Sequence, residues 1–226
     1  MTIQDKTLWQ IFTAAPHRVM FFGGSLQLVA AMLWWLADLA TRYGTGDAIA
    51  WPIPPDDAHL YLMIYGIFPF LMFGFLMTTF PRWMAEKEIP ARRYVPAFIL
   101  MLLGNVTFYA GLLGNKHLLA AGVLLSLCGW AIAMYALLHV VRHSKPMDKR
   151  HPIIALIALA LGWSGAAAYL VWLLSEQPLW LDYSLQAGIW FFLLPVFFNI
   201  GHRMIPLFTA SAAVRCRIVR PDWPLW

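Results

Sequence analysis

The sequence predicts an all-α membrane protein, a polytopic bundle of about six transmembrane helices with both termini in the cytoplasm. Of its 226 residues, 61% are hydrophobic and 12% are charged, whereas soluble domains average roughly 45–50% apolar and about 25% charged residues. Long charge-free runs recur along the chain. They lack the period-two alternation of a transmembrane barrel, so the spans are expected to be helices.

Six runs are long enough to cross a bilayer. A helix rises 1.5 Å per residue, so about 20 apolar residues cross the hydrocarbon layer of about 30 Å. A spanning segment must satisfy its own backbone hydrogen bonds, which a helix does. The run before the first span has no apolar core with a cleavage site, so no removable signal peptide is expected. The single domain 1–226 is predicted to have spans near residues 19–41, 60–80, 94–115, 118–141, 152–175 and 183–210.

The basic residues predict the orientation of these spans. Fourteen of the 16 lysines and arginines lie on one side of the predicted membrane, and only Arg42 and Lys116 lie on the other. The positive-inside rule places the first side, with both termini, in the cytoplasm. The net charge of +5 therefore reports topology, and no nucleic-acid partner is needed to explain it.

The second and sixth spans are interrupted by helix-breaking residues. Proline removes a backbone hydrogen bond, which a membrane helix tolerates where a neighbour or a cavity satisfies the freed carbonyl. We expect kinks in both spans, and we expect Pro206 to prevent a regular continuation of the sixth. The residues concerned are Gly66, Pro69 and Gly74 in the second span and Pro195, Gly201 and Pro206 in the sixth.

Two histidine–arginine pairs are predicted at the cytoplasmic membrane surface. The stretches "PHRVMFF" and "GHRMIPLF" place His17 with Arg18 and His202 with Arg203 at one leaflet, on two different helices. Imidazole is a common haem ligand, and guanidinium pairs with carboxylates. One hypothesis makes His17 and His202 axial ligands of one haem, with Arg18 and Arg203 near its propionates. The alternative is that all four are ordinary interfacial residues.

A third candidate ligand, His59, lies at the outer end of the second span. It is too far from the cytoplasmic pair to share a metal with it, because about 30 Å of hydrocarbon separates the two surfaces. It is therefore predicted to bind a metal in, or to line, a separate outer site. His139 and His143 have ligand spacing but are interpreted as solvated, and His117 and His151 are interpreted as loop residues of minor role. Cys128 and Cys216 lie at different depths and predict no disulfide.

Three segments carry a resemblance to a known family. They are "APHRVMFFGGSLQLVAAMLWW", "HLYLMIYGIFPFLMFGFLMTTFPRW" and "WFFLLPVFFNIGHRMIPLF", and they resemble the NnrS family of haem- and copper-containing inner-membrane proteins of the bacterial nitric-oxide response. The resemblance implies haem and copper as cofactors and a link to nitric oxide or a related small molecule. The resemblance implies about twice as many helices as the six predicted here. The chain is thus expected to correspond to an N-terminal half, which a further half or a partner subunit would complete.

Two other functions remain open at this point. The kinked second and sixth spans suit the path of a small-molecule channel or carrier. A non-catalytic membrane subunit or a metal-insertion factor is the other alternative. No pair of intramembrane carboxylates is found in the sequence, which argues against a carboxylate-relay proton pump.

Overall fold

The computed structural model describes residues 7–44, 49–145 and 148–212, which are helical and contain no strand. Six helices are long and apolar enough to cross a membrane, so the predicted all-α bundle is confirmed. The last 14 residues, which include Cys216, lie outside the described part of the chain. A short helix, α1 (Leu8–Phe12), precedes the six, which are α2 (Pro16–Tyr43), α3 (Pro55–Trp83), α4 (Ala91–Leu112), α5 (Lys116–His143), α6 (Arg150–Ser175) and α7 (178–212), whose membrane span is Pro178–Pro206.

The short helix α1 was not predicted from the sequence. Thr7 and Gln10 form a capping box at its start, in which each side chain accepts a hydrogen bond from the backbone N–H of the other. Such reciprocal caps satisfy donors that a helix start leaves unpaired. The Tyr94 hydroxyl of α4 donates to the carbonyl of Thr13, just after α1, at 2.5 Å. The segment before the first span is therefore docked on the bundle.

Helix α3 is the centre of the bundle. In its most apolar stretch 72% of the residues are buried, compared with 33–44% in the other five spans. A helix that is apolar on all sides is expected to be surrounded by protein. Helices α2, α5 and α7 pack around it. The candidate site residues on α2 and α7 therefore lie on helices that pack against the most deeply buried helix of the described residues.

Helices α4 and α5 pack against each other through glycines. A Cβ atom added at Gly104 would lie 2.7 Å from the carbonyl oxygen of Gly122, and one at Gly122 would lie 2.7 Å from that of Gly104. Small residues of this kind allow membrane helices to approach closely.

The predicted interruptions are π-helical segments inside α3 (Leu62–Ile67) and inside α7 (Ala187–Leu193). Pro69 and Pro195 each follow within two residues of such a segment. A proline has no N–H for the carbonyl four residues before it and its ring collides with that carbonyl. The wider π turn accommodates this conflict, and such segments are frequent at functional sites.

The expectation for Pro206 was wrong. The α-helix Leu194–Ala212 continues through Pro206. The proline removes only the hydrogen bond that the carbonyl of His202 would accept, and a membrane helix tolerates the loss of one such bond.

The helices alternate in direction and define two ends of the bundle. Contacts between rings or side chains join His151 with His202 at one end and Trp35 with His59 at the other. His17, in the first turn of α2, lies at the first of these ends. We call them the His17 end and the His59 end.

Candidate metal and cofactor sites

His17 is held by a hydrogen bond to the central helix. Its Nδ1 lies 3.2 Å from Oγ1 of Thr78 on α3. The Thr78 hydroxyl has one proton, and it donates that proton to the carbonyl of Gly74 at 2.8 Å. With the hydroxyl proton on the Gly74 carbonyl, Thr78 accepts from His17, and in this arrangement Nδ1 carries the imidazole proton and Nε2 keeps its lone pair. Histidines that bind metals generally donate their other ring N–H in this way.

A glycine brings His17 within reach of Thr78. A Cβ atom at Gly74 would lie 2.7 Å from the ring of Phe21, so α2 and α3 can approach here only because position 74 has no side chain. His17 lies one turn before Phe21 on α2 and Thr78 lies one turn after Gly74 on α3. The close approach thus places the imidazole beside the hydroxyl.

Arg18 points to a different neighbour. Its side chain is exposed, and Nη1 donates to the carbonyl of Ile11 in α1 at 2.7 Å. Arg18 therefore ties α1 to the start of α2, and its remaining N–H groups are available for an anion.

His202 is paired with a histidine that the sequence analysis set aside. Its Nδ1 lies 3.1 Å from Nε2 of His151, and the two rings stack with centroids 5.3 Å apart. His151 is buried in the first turn of α6 and not in a loop. Asn199 donates to the His151 carbonyl at 2.9 Å. The pair joins α6 to α7, and each of the two candidate haem ligands, His17 and His202, has its Nδ1 in contact with a polar side chain.

Arg203 stacks on an aromatic ring of the central helix. Its guanidinium carbon lies 4.5 Å from the ring centroid of Trp83 at the end of α3. A stacked guanidinium is attracted to the ring face and keeps its N–H groups in a fixed plane. In this geometry the guanidinium can donate two parallel hydrogen bonds to a carboxylate.

An apolar groove runs between α2 and α7 over α3. Its volume is about 430 Å³. The His17 ring lies 6.1 Å from Phe21 in the groove wall, and Trp83, under Arg203, lies 6.2 Å from Phe75 in the groove floor. The groove thus runs near both His17 and the Arg203–Trp83 stack. It is lined by Phe21, Ser25, Leu71, Met72, Phe75, Phe197 and Ile200.

At the opposite end, His59 is held by its face. The imidazole stacks on Trp35 of α2 with ring centroids 4.1 Å apart and planes 20° apart. Its Nδ1 is buried and has no hydrogen-bond partner among the described residues. Met63 follows one helical turn later on the same side of α3. A buried nitrogen without a partner is a position where a metal ion can bind.

A buried carboxylate braces this end of the bundle. Asp38 is only 3% exposed, and it accepts hydrogen bonds from Arg42 and from Trp51 Nε1, the latter at 2.8 Å. Arg42 also lies 3.5 Å from Asp56, in the turn that begins α3. The network was not predicted, because its links from Asp38 to Trp51 and from Arg42 to Asp56 depend on how the loop between α2 and α3 folds back.

The remaining polar groups at the two ends are more exposed. His139 and His143 stack with centroids 4.0 Å apart, and His139 is in contact with Arg93 at 3.2 Å. At the His59 end, Lys116 donates to Glu176 at 2.6 Å, and this lowers the pKa of Glu176. Within the described ranges no three His, Cys, Asp or Glu side chains gather as a ready metal site.

Comparison with known proteins identifies one family. The family model described as NnrS protein matches residues 11–225, and the match therefore includes His17, His59 and His202. No curated protein and no solved structure shows significant similarity to the chain. The chain belongs to the NnrS family.

Proposed function

We propose that this multi-pass membrane protein binds haem at the His17 end and copper at the His59 end and acts in the bacterial response to nitric oxide or nitrosative stress. Membership of the NnrS family supports the link to nitric oxide. Family membership favours the bacterial inner membrane, and the distribution of basic residues favours the cytoplasm for the His17 end.

The haem assignment rests mainly on the relay from His17 through Thr78 to the Gly74 carbonyl. It leaves Nε2 of His17 with a lone pair, as an iron ligand requires. The apolar groove between α2 and α7 suits a flat hydrophobic macrocycle. His202 is the candidate second ligand, oriented by its contact with His151. With both imidazoles bound the iron would have no free coordination position, so nitric oxide would bind the iron in place of His202.

The two arginines are proposed to bind the haem propionates. Arg203 is the better placed, because its stack on Trp83 fixes the guanidinium beside the groove. Arg18 is exposed and already donates to Ile11, so it would bind a propionate with its other N–H groups. Bidentate guanidinium–carboxylate pairs fix orientation as well as affinity.

The copper assignment rests on His59. Its buried Nδ1 has no partner among the described residues, and the thioether of Met63 is a soft donor one turn away. Imidazole and thioether together suit copper. Trp35 covers the imidazole face and would shield the bound ion from water.

Absorption spectra test the haem assignment. Purified protein should show a Soret band, and His17→Ala should remove the haem, whereas His202→Ala should remove it or convert it to a high-spin form. His143→Ala, an exposed histidine at the same end, is the control and should change nothing. If His17→Ala protein retains its full haem content with an unchanged spectrum, His17 is not a ligand. A folded but colourless wild-type protein would instead support the carrier alternative.

Metal analysis tests the copper assignment. His59→Ala should lower copper content and leave the haem spectrum unchanged, because the sites lie at opposite ends of the bundle. His117→Ala, at the same end, should retain copper. Loss of haem and copper together in folded His59→Ala protein would contradict two separate sites.

Reporter fusions test the orientation. Fusions after Lys87 and Lys149 should report the cytoplasm, and fusions near Gly46 and Gln177 the periplasm. Inversion at two of the four positions would exclude this topology.

A further inference from the structure

Two buried amide side chains meet at the centre of the bundle, away from both candidate sites. Gln27 of α2 and Asn105 of α4 are each 3% exposed. Asn105 Nδ2 donates to the carbonyl of Gly66 in the π segment of α3 at 3.1 Å. Gln27 Nε2 has no hydrogen-bond partner among the residues the structure describes. Polar side chains inside a membrane bundle generally face an interior cavity or a site.

Gly66 makes room for both amides. A Cβ atom at this position would lie 2.7 Å from Nε2 of Gln27 and 3.6 Å from Oδ1 of Asn105. The absence of a side chain on the π segment therefore keeps polar atoms of α2 and α4 beside the same stretch of backbone.

Further buried donors continue from Gln27 toward the His59 end. The Tyr109 hydroxyl, one turn beyond Asn105 on α4, interacts with the Gln27 side chain but makes no hydrogen bond of ordinary length and angle within the described parts of the chain. The Trp34 indole lies two turns beyond Gln27 on α2, and its buried Nε1 has no hydrogen-bond partner among the described residues. Trp34 packs on Trp51 with ring centroids 5.2 Å apart. This row of donors therefore reaches the His59 end of the bundle.

In the other direction the series stops. One turn of α2 nearer the His17 end, Cβ positions at Gly23 and Gly24 would lie 2.8–3.2 Å from Phe70, and the Gly23 position also 2.8 Å from Phe98. These rings fill the space between the helices next to Gln27. We call the row of Trp34, Tyr109, Gln27 and Asn105 between α2, α3 and α4 the polar seam.

Unpaired buried donors destabilise a fold unless something accepts their hydrogen bonds. Lipid cannot do so, because the hydrocarbon layer contains no acceptor. Water can, since a buried water makes about three hydrogen bonds to groups of this kind. Indole, hydroxyl and amide donors in succession offer partners for more than one water molecule.

We propose that the polar seam is a solvent inlet that binds water molecules from the His59 end down to Gln27 and is closed below by Phe70. Its ligands are water and small neutral molecules that accept hydrogen bonds. This inference does not depend on haem or copper binding.

Thiol accessibility tests the inlet. Silver ions react rapidly with a thiolate, and a thiolate forms only where water reaches the thiol. Ala31 and Ala133 are both completely buried, but Ala31 lies on α2 between Gln27 and Trp34, whereas Ala133 lies on α5 outside the polar seam. In a background without the native cysteines, Ala31→Cys should react about tenfold faster or more than Ala133→Cys. Equal rates in folded protein would overturn the proposal.

Hydroxyl-radical footprinting of the wild-type protein provides a second test that needs no variant. X-rays generate the radicals from water, including water bound inside a protein. The Trp34 ring should be oxidised faster than the Trp163 ring, which is half-buried like Trp34 but has its Nε1 donating to the carbonyl of Leu127, outside the polar seam. If Trp34 is protected as strongly as Trp163, the polar seam is dry and the proposal is wrong.

Discussion

The two ends of the bundle hold their candidate histidines in different ways. His17 is held at its edge, by a hydrogen bond from Nδ1 to Thr78, whereas His59 is held on its face, by Trp35. An edge contact determines which nitrogen carries the proton and therefore which nitrogen can bind a metal. A face contact excludes water but leaves the tautomer open. His17 is thus oriented to bind a metal through one particular nitrogen, whereas His59 is placed to bind an ion that is shielded from water.

The largest effect on stability is expected at the His59 end. Asp38→Ala removes a buried acceptor and leaves Trp51 Nε1 and the Arg42 guanidinium without it, which should lower the free energy of unfolding by about 1–3 kcal/mol. Denaturation in detergent measures the loss. Asp182→Ala, an exposed acid at the same end, is the control. Equal losses in the two variants would show that the Asp38 network does not stabilise this end.

The largest effect on cofactor affinity is expected at the His17 end. Thr78→Val keeps the shape of the side chain but removes the acceptor for His17 Nδ1. Loss of such a partner typically weakens metal binding by about 10–100-fold, and haem titration of the apoprotein measures it. Thr78→Ser should restore affinity. A Thr78→Val protein with wild-type affinity would show that the relay does not orient His17, even if His17 itself binds the iron.

The sequence was sufficient for the bundle and for the grouping of its histidines. Long charge-free runs are typical of segments that cross the lipid bilayer, so the six spans and the all-α fold could be predicted from composition and length. His17 and His202 were expected at one leaflet and His59 at the other, and the helices place them at those ends of the bundle. Topology needs only the order of the spans, which the sequence contains.

The sequence was not sufficient for the partners of these residues. His151 was interpreted as a loop residue, yet it lies in the first turn of α6 and pairs with His202. Thr78 and Trp35 gave no signal, because a hydroxyl or an aromatic ring on a membrane helix is common. The error at Pro206 arose because proline propensity was weighed without the neighbouring helices that support α7. Pairing across helices depends on rotation and depth, which periodicity does not specify.

A smaller effect is expected at Arg203. Arg203→Lys keeps the charge but loses the planar fork and its stack on Trp83. Arg203 is half-buried, and a cation–π contact of this kind is worth about 1 kcal/mol, so haem retention should fall about fivefold. Transfer of haem to an acceptor protein measures it, with Arg92→Lys, an exposed arginine at the same end, as the control. If haem retention is unchanged, Arg203 does not bind a haem propionate, and the assignment of His17 as a ligand is unaffected.

The smallest effect is expected from the exposed ion pair at the His59 end, and it differs from Asp38 in its dependence on pH. Lys116 lowers the pKa of Glu176 from its ordinary value of 4.5, so the pair stabilises the folded protein above that value and the contribution is lost as the pH falls through the lower, folded-state pKa. Glu176→Gln should therefore lower the melting temperature slightly at pH 7 and leave it unchanged at the most acidic pH the fold tolerates. The difference should also shrink in high salt, since exposed charges are screened. A difference between wild type and Glu176→Gln that grows as the pH falls would show that Glu176 is not the group responsible.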